Sequence, residues 1–381
     1  MNITRSFTQQ RRQTWSGATM WMTSSGWQYQ RSGRNSRYNS RLRQTYTLAE
    51  TDRKTVNLSE DFSFGITASG FKPRAYAARN STFNLSGDLT GSFSATTHSS
   101  GDFLRSGYRP GGFGGGGCPP WAMYRSKVYG DDGAQSLSFT AEAHTNVTRP
   151  DGSIYSYGVD RSTLSLGGGD DSVSIESTAF AVRNRPIYWR GRGWSRVYQD
   201  VTEAHARGVQ YSTIDMGTGD DDLTITANHE VEGYDPVTGV EVNRRSDAIS
   251  LDRSTIRMGD GNDSLTLSGN GVHARYSTVD MGAGDDVLTM GGKYAEIQRN
   301  TFKGGEGFDQ VVLTSDHYSD RFEQGRAQAL FARTFDIQNG QLGTVGNDVS
   351  ASFKYNGNTF EGFEQIAVAG GVFDTTTSSF V

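Results

Sequence analysis

At 381 residues, with 34 % apolar residues and 48 glycines, the chain carries fewer core-formers and more turn-formers than a compact enzyme usually does. No stretch approaches the roughly 18 consecutive apolar residues of a membrane span, so no transmembrane segment is expected. Net charge is −5, but residues 1–54 hold ten Lys/Arg against two Asp/Glu (+8), leaving 27 basic and 40 acidic side chains (−13) for the rest.

Residues 1–60 read as a basic arm rich in Arg, Ser, Thr, Gln and aromatics. Its start, MNITRSFTQQRRQTW, is followed by no apolar run, so no cleavable secretory signal is read there. Trp15, Trp21 and Trp27 recur every six residues, which on one strand would put them on one face. The arm either covers one end of the fold or binds an acidic partner, a glycan polymer or the acidic flank of another copy. The acidic remainder of the chain argues against nucleic acid as a partner.

Residues 61–160 read as further β structure with degenerate coils. STFNLSGDLTGSF (81–93) has a Ser-Thr lead-in and an acidic turn, and YGDDGAQSLSF (129–139) has its acidic turn displaced. GYRPGGFGGGGCPP (107–120) is an exposed loop; no GK[ST] follows to make it a phosphate cradle. The single cysteine, Cys118, excludes an intrachain disulfide, so something else must brace an exported chain.

Residues 161–315 contain an internal repeat. RSTLSLGGGDDSVSI (161–175), YSTIDMGTGDDDLTI (211–225), RSTIRMGDGNDSLTL (253–267), YSTVDMGAGDDVLTM (276–290) and RNTFKGGEGFDQVVL (299–313) align as strand, Gly-x-Gly-x-Asp turn, strand. The first turn glycines, Gly167, Gly217, Gly259, Gly282 and Gly305, lie 50, 42, 23 and 23 residues apart, giving a 23-residue coil with insertions of 27 and 19. NRPIYWRGRGWSRVYQD (184–200) and EGYDPVTGVEVNRR (232–245) are the insertions. One such unit cannot bury its apolar face alone. Stacking the coils aligns Ile214, Ile256 and Val279 in one ladder and Leu223, Leu265 and Leu288 in another. The fold class expected is all-β, a right-handed parallel β-solenoid.

Residues 316–381 lose the repeat. FEQGRAQALFARTFDI (322–337) suits a short helix, and NGNTFEGFEQIAV (356–368) echoes the last repeat, so this region reads as a cap over the open sheet edge.

The turns carry the chemistry. Glycines at the second position and at the fourth, Gly169, Gly219, Gly261, Gly284 and Gly307, permit positive φ and turn backbone carbonyls toward one point. Asp171, Asp221, Asp263, Asp286 and Asp309 end the turns, preceded by Asp170, Asp220, Asn262 and Asp285 in the first four. Stacked turns would surround a space with carbonyl and carboxylate oxygens, the hard shell of Ca²⁺; zinc would want the His or Cys that these turns lack. The bland reading, aspartates that merely cap tight turns, weakens when five turns align.

These turns resemble the RTX (hemolysin-type) calcium-binding nonapeptide, Gly-Gly-x-Gly-x-Asp-x-apolar-x. Residues 217–221, 259–263 and 282–286 fit closely, and Gly304 gives the last turn both leading glycines. The resemblance implies calcium held between turns, a secreted protein, and export by a type I system that reads an uncleaved C-terminus. The final GGVFDTTTSSFV is similar to such a signal. The spacing departs from the family, since one motif per coil replaces tandem nonapeptides. A single row of ions in at most four gaps is therefore expected.

No H-E-x-x-H or G-x-S-x-G occurs. His205 and His273 both stand in His-Ala-Arg before a Ser-Thr lead-in, which suggests equivalent coil positions. The reading is a secreted calcium-binding surface protein with an adhesion or self-assembly role. The alternative is a calcium-dependent lyase- or epimerase-like enzyme acting on polysaccharide, with Arg190, Arg192 and Arg196 beside Trp189 and Trp194 as its place.

Overall fold

The computed structural model describes residues 18–23, 26–31, 47–48, 51–52, 55–59, 62–70, 75–99, 119–145, 153–182, 187–191, 194–198, 203–232, 246–292, 296–315, 337–338, 341–342, 353–355, 358–368, 371–374, 377 and 379–380. The protein is an all-β parallel solenoid. Each coil contributes a strand before the Gly-Asp turn (the upstream sheet), one after it (the downstream sheet) and one that comes back (the return sheet). These form sheets of 12, 12 and 8 strands, respectively. In one coil the three are Thr213–Thr218, Asp222–Glu232 and Asp247–Asp252.

Alternation explains why the coils stack. In the upstream sheet Ile214 pairs with Ile256 and Ile256 with Val279; downstream, Leu223 pairs with Leu265 and Leu265 with Leu288. All six are fully buried, while the threonines between them face outward. Aromatic rings fill the two ends of the core. Phe93 stacks on Phe139 at 4.7 Å near one end, and Phe302 on Phe360 at 4.8 Å near the other.

The parallel pairing continues without interruption into the upstream residues. Thr82–Ser86 and Lys127–Tyr129 join the upstream sheet, and Leu89–Ser99 and Gln135–Thr145 the downstream one. At the other end Asn358–Glu361 and Gln365–Val368 add one more coil, after which Gly371–Asp374 and Ser379–Phe380 pair antiparallel. Changing direction stops the parallel template, a device against edge-to-edge growth.

Several expectations need correction. Trp21 and Trp27 do not share a strand: Ala18–Thr23 and Gly26–Arg31 form an antiparallel hairpin in which Trp27 pairs with Met22. The wall strands run on toward the insertion read at 184–200 from both sides. Ser172–Val182 and Glu203–Gln210 run on as long strands, and between them, among the described residues, Ile187–Gly191 pairs only with Trp194–Tyr198. The extended strands meet across a thin secondary core of Ala143, Ala179, Ala181, Ala204, Ala206 and Ala227, whose small side chains let the sheets approach closely. Trp15, the 107–118 part of the glycine-rich loop, residues 233–245 and most of the expected helix (322–336) lie outside the described residues. So does Arg192; for Trp189, Arg190, Trp194 and Arg196 only the backbone of the hairpin is described.

Candidate metal centre

Two polar columns run along the solenoid where coils change sheets. At the corner between return and upstream sheets, the coils bury one polar residue each, a serine from Ser81 to Ser277. The Ser212 N–H donates to Ser254 Oγ at 3.1 Å and the Ser254 N–H to Ser277 Oγ at 3.1 Å; each hydroxyl then donates to the carbonyl two residues before it. Asn300 and Asn358 end the column. This ladder satisfies the backbone where it turns between sheets.

The second corner is the Gly-x-Gly-x-Asp turn. Gly167, Gly217, Gly259, Gly282 and Gly305 stack in register with φ from 105° to 125°. Gly169, Gly219, Gly261, Gly284 and Gly307 form the neighbouring column. A Cβ on Gly259 would lie 1.8 Å from the Gly217 carbonyl oxygen, and one on Gly284 1.9 Å from that of Gly261, far closer than two non-bonded atoms can come. Glycine is therefore demanded by the stacking itself, before any ion is considered.

The acidic residues form two ladders of opposite direction. At the fifth position the side chains are exposed, and each accepts from the next coil. The Asn262 N–H donates to Asp220 Oδ1 at 2.8 Å, that of Asp285 to Asn262 Oδ1 at 2.9 Å, and that of Phe308 to Asp285 Oδ1 at 2.9 Å; the Asp220 N–H donates likewise to Asp170. At the sixth position the carboxylates are buried and accept from the preceding coil. The Asp171 N–H donates to Asp221 Oδ1 at 2.7 Å, Asp221 to Asp263 at 2.9 Å, Asp263 to Asp286 at 2.8 Å and Asp286 to Asp309 at 3.0 Å.

What hydrogen bonding leaves over is specific. The second oxygens of Asp171, Asp221, Asp263, Asp286 and Asp309 are all buried without a hydrogen-bond partner. These residues are at most 2 % exposed. Burial pushes the carboxyls of Asp171, Asp263 and Asp309 up to about 7 and Asp221 to about 6, and raises Asp286, against the lowering effect of the backbone donor. At the sheet spacing of about 4.8 Å, two neighbouring ionised carboxylates repel by roughly 3–4 kcal/mol at an effective dielectric of about 20. Such a column calls for a proton or a cation. A hard cation bound through oxygen fits the donor set of carboxylate oxygen and turn carbonyls. Among the described residues no three His, Cys, Asp or Glu side chains converge as a cluster, so such an ion would depend on backbone oxygens as well.

Two residues that bound the column were missed in the sequence. Glu364 continues it, accepting the Asp309 N–H at 2.7 Å, so the acidic column has six members and five gaps rather than the four expected. Gln135 ends it on the other side. In register it occupies the sixth position before Asp171, and its N–H donates to Asp171 Oδ1 at 2.6 Å. Its side-chain amide donates to the carbonyls of Gly133 and Gly87. Where the acids stop, a neutral donor thus takes turn oxygens. The displaced acid of that coil, Asp131, stands in the second-position column and accepts from the Gly87 and Gly133 N–H groups at 2.9 and 3.1 Å.

The two histidines are not equivalent. His205 pairs in register with Asp247, whereas His273 falls three positions further along the return sheet, beside Ala274, the partner of Leu251. His205 lies between Asp247 and Glu203 and stacks on Tyr155 at 4.7 Å; His273 is fully buried, its Nε2 donating to the Gly291 carbonyl at 2.7 Å. Asp247 also holds Arg207 in a two-pronged ion pair of 2.8 and 3.0 Å.

Fold and turn chemistry together define a parallel β-solenoid with an acidic column along one edge. The chain matches no protein-family model, no curated protein and no solved structure. Among the described residues no helix is long and apolar enough to cross a membrane.

Proposed function

We propose that the protein is a calcium-stabilised structural protein of the cell exterior, whose solenoid folds when calcium fills the column at the glycine–aspartate turns. The observation that carries this reading is the row of five buried carboxylate oxygens without donors. Asp171, Asp221, Asp263, Asp286 and Asp309, with Glu364 at the end, would hold the ions together with turn carbonyls. Calcium would supply the positive charge that lets the carboxylates ionise while buried, turning their mutual repulsion into binding energy coupled to folding.

This coupling suits an exported chain. Extracellular modules bind calcium at about 10⁻⁴–10⁻³ M, above cytosolic levels, so the solenoid would be only weakly stable inside the cell and firmly folded outside. Adhesion or self-assembly is the role that a rigid, repetitive rod with a basic arm supports, and the reading is non-enzymatic.

The test is circular dichroism and thermal melting of chelator-treated protein during calcium titration. The expected result is a calcium-dependent gain of β signal and a raised Tm, with magnesium much weaker. Identical spectra and melting with and without calcium would refute it. Loss of viscosity of an acidic polysaccharide on incubation with the protein would replace the structural role with an enzymatic one.

A further inference from the structure

The corner between the return and upstream sheets carries a second pattern, on its outer side. Arg161, Tyr211, Arg253, Tyr276 and Arg299 occupy one column, one residue per coil, all with φ between 48° and 54°. All five are exposed. Left-handed backbone disfavours every residue except glycine and, less so, asparagine or aspartate. An earlier coil does place Asn80 in this column. Six successive coils, from Arg125 to Arg299, instead use a large side chain, and from Arg161 onward arginine and tyrosine alternate.

The alternation builds a continuous stack. The Tyr211 ring is flanked by the guanidinium groups of Arg161 and Arg253, each 5.5 Å from its centroid. Tyr276 is flanked by Arg253 at 5.3 Å and Arg299 at 5.6 Å. Arg253 also donates to the Tyr211 hydroxyl at 2.8 Å. Acidic residues stand behind the ridge rather than on it. Asp252 is fully buried and held by Arg275 at 3.0 Å, with Arg253 3.9 Å away, and Asp160 is 5 % exposed. The outward charge of the corner is therefore positive.

We propose that this ridge binds an extended acidic polysaccharide carrying one carboxylate or sulfate per disaccharide. Arg161, Arg253 and Arg299 recur on alternate coils, about 9.5 Å apart, close to the length of one disaccharide in an extended chain. Beside them runs a parallel row of outward threonines, Thr163, Thr213, Thr255, Thr278 and Thr301, stacked in register. Guanidinium and hydroxyl rows with one common axis match a straight polymer of hydroxyls and regularly spaced anions. Single-stranded nucleic acid fits less well, because it needs open aromatic faces for its bases. Both tyrosine rings here have guanidinium groups over their faces.

The test uses the full chain with calcium present and a hyaluronate oligosaccharide long enough to span five coils. The triple variant R161N/R253N/R299N removes the charges while keeping a residue tolerated at positive φ. Wild-type protein is expected to bind the oligosaccharide with a strong salt dependence and to ignore its neutral methyl ester. The variant should bind about tenfold more weakly or worse, the scale of three exposed ion pairs, with an unchanged far-ultraviolet spectrum. Should the triple variant fail to fold, R253N alone should show about a two- to threefold loss. Undiminished binding by a folded variant, equal binding of the neutral ester, or tighter binding of a single-stranded oligodeoxynucleotide would overturn the proposal. A lower Tm with unchanged binding would do so too, leaving the ridge as a stabilising stack only.

Discussion

Asp263 accepts the backbone N–H of Asp221 at 2.9 Å through one carboxylate oxygen, while its other oxygen is buried with no donor. The same division of labour recurs in every acidic turn from Asp171 to Asp309. One oxygen sets the register of the coils and the other carries a charge that the protein's own hydrogen bonds do not meet.

Asp263→Asn separates these two tasks. The amide keeps an acceptor for the Asp221 N–H and removes the charge. Metal-free variant at pH 8 should be more stable than wild type by about 1–2 kcal/mol, since one repelling buried charge is gone. Its gain on adding calcium should be smaller, by up to about 2.7 kcal/mol at a hundredfold excess over Kd. Denaturant melts with calcium and with chelator measure both; a variant with the wild-type calcium gain would remove Asp263 from the site.

The metal-free protein should lose stability as pH rises. Asp171, Asp263 and Asp309 are pushed up to about 7 and Asp221 to about 6 by burial, against about 3.9 in an unfolded chain. Between roughly pH 4 and 7 the folded state holds the extra protons, so their contribution is full below the unfolded value and fades as pH climbs through the folded ones. Chelated protein should melt higher at pH 5 than at pH 8, and calcium should flatten or reverse that slope. A pH-independent Tm in chelator contradicts the burial argument.

Gly259→Ala tests stacking without reference to metal. The new methyl would meet the Gly217 carbonyl, and the residue would still need φ of 122°. A loss of roughly 3 kcal/mol or more is expected, with calcium or without. A fall seen only with calcium present would instead make Gly259 a metal-site residue first.

Ser254→Ala probes the opposite corner. It strips the acceptor from the buried Ser212 N–H and the donor from the Asp252 carbonyl. The expected cost is about 1–3 kcal/mol in urea unfolding, with calcium affinity unchanged. A variant as stable as wild type would mean that the ladder contributes little.

Short-range features were legible in the amino-acid order. The strand–turn–strand unit, the Ile214–Ile256–Val279 ladder and the turn glycines are local patterns, because alternation and positive φ are properties of a few consecutive residues. The tryptophan spacing misled, since Ala18–Thr23 and Gly26–Arg31 pair antiparallel with each other and are not one strand. The shared His-Ala-Arg motif misled as well. Strand pairing places its two copies three positions out of step, so identical words fall in different columns.

By itself, then, the order of residues determined that coils form and where each one bends. Outside the five aligned repeats, which residue stands on which was decided by tertiary stacking. Coil lengths vary with the insertions, so members of one column lie 50, 42 or 23 residues apart and no fixed period finds them. Only hydrogen-bonded registry between strands put Gln135 before Asp171, Glu364 after Asp309, and arginine against tyrosine along the outer corner. The limits of the acidic column and the existence of the ridge are contacts between distant residues, formed when parallel strands pair.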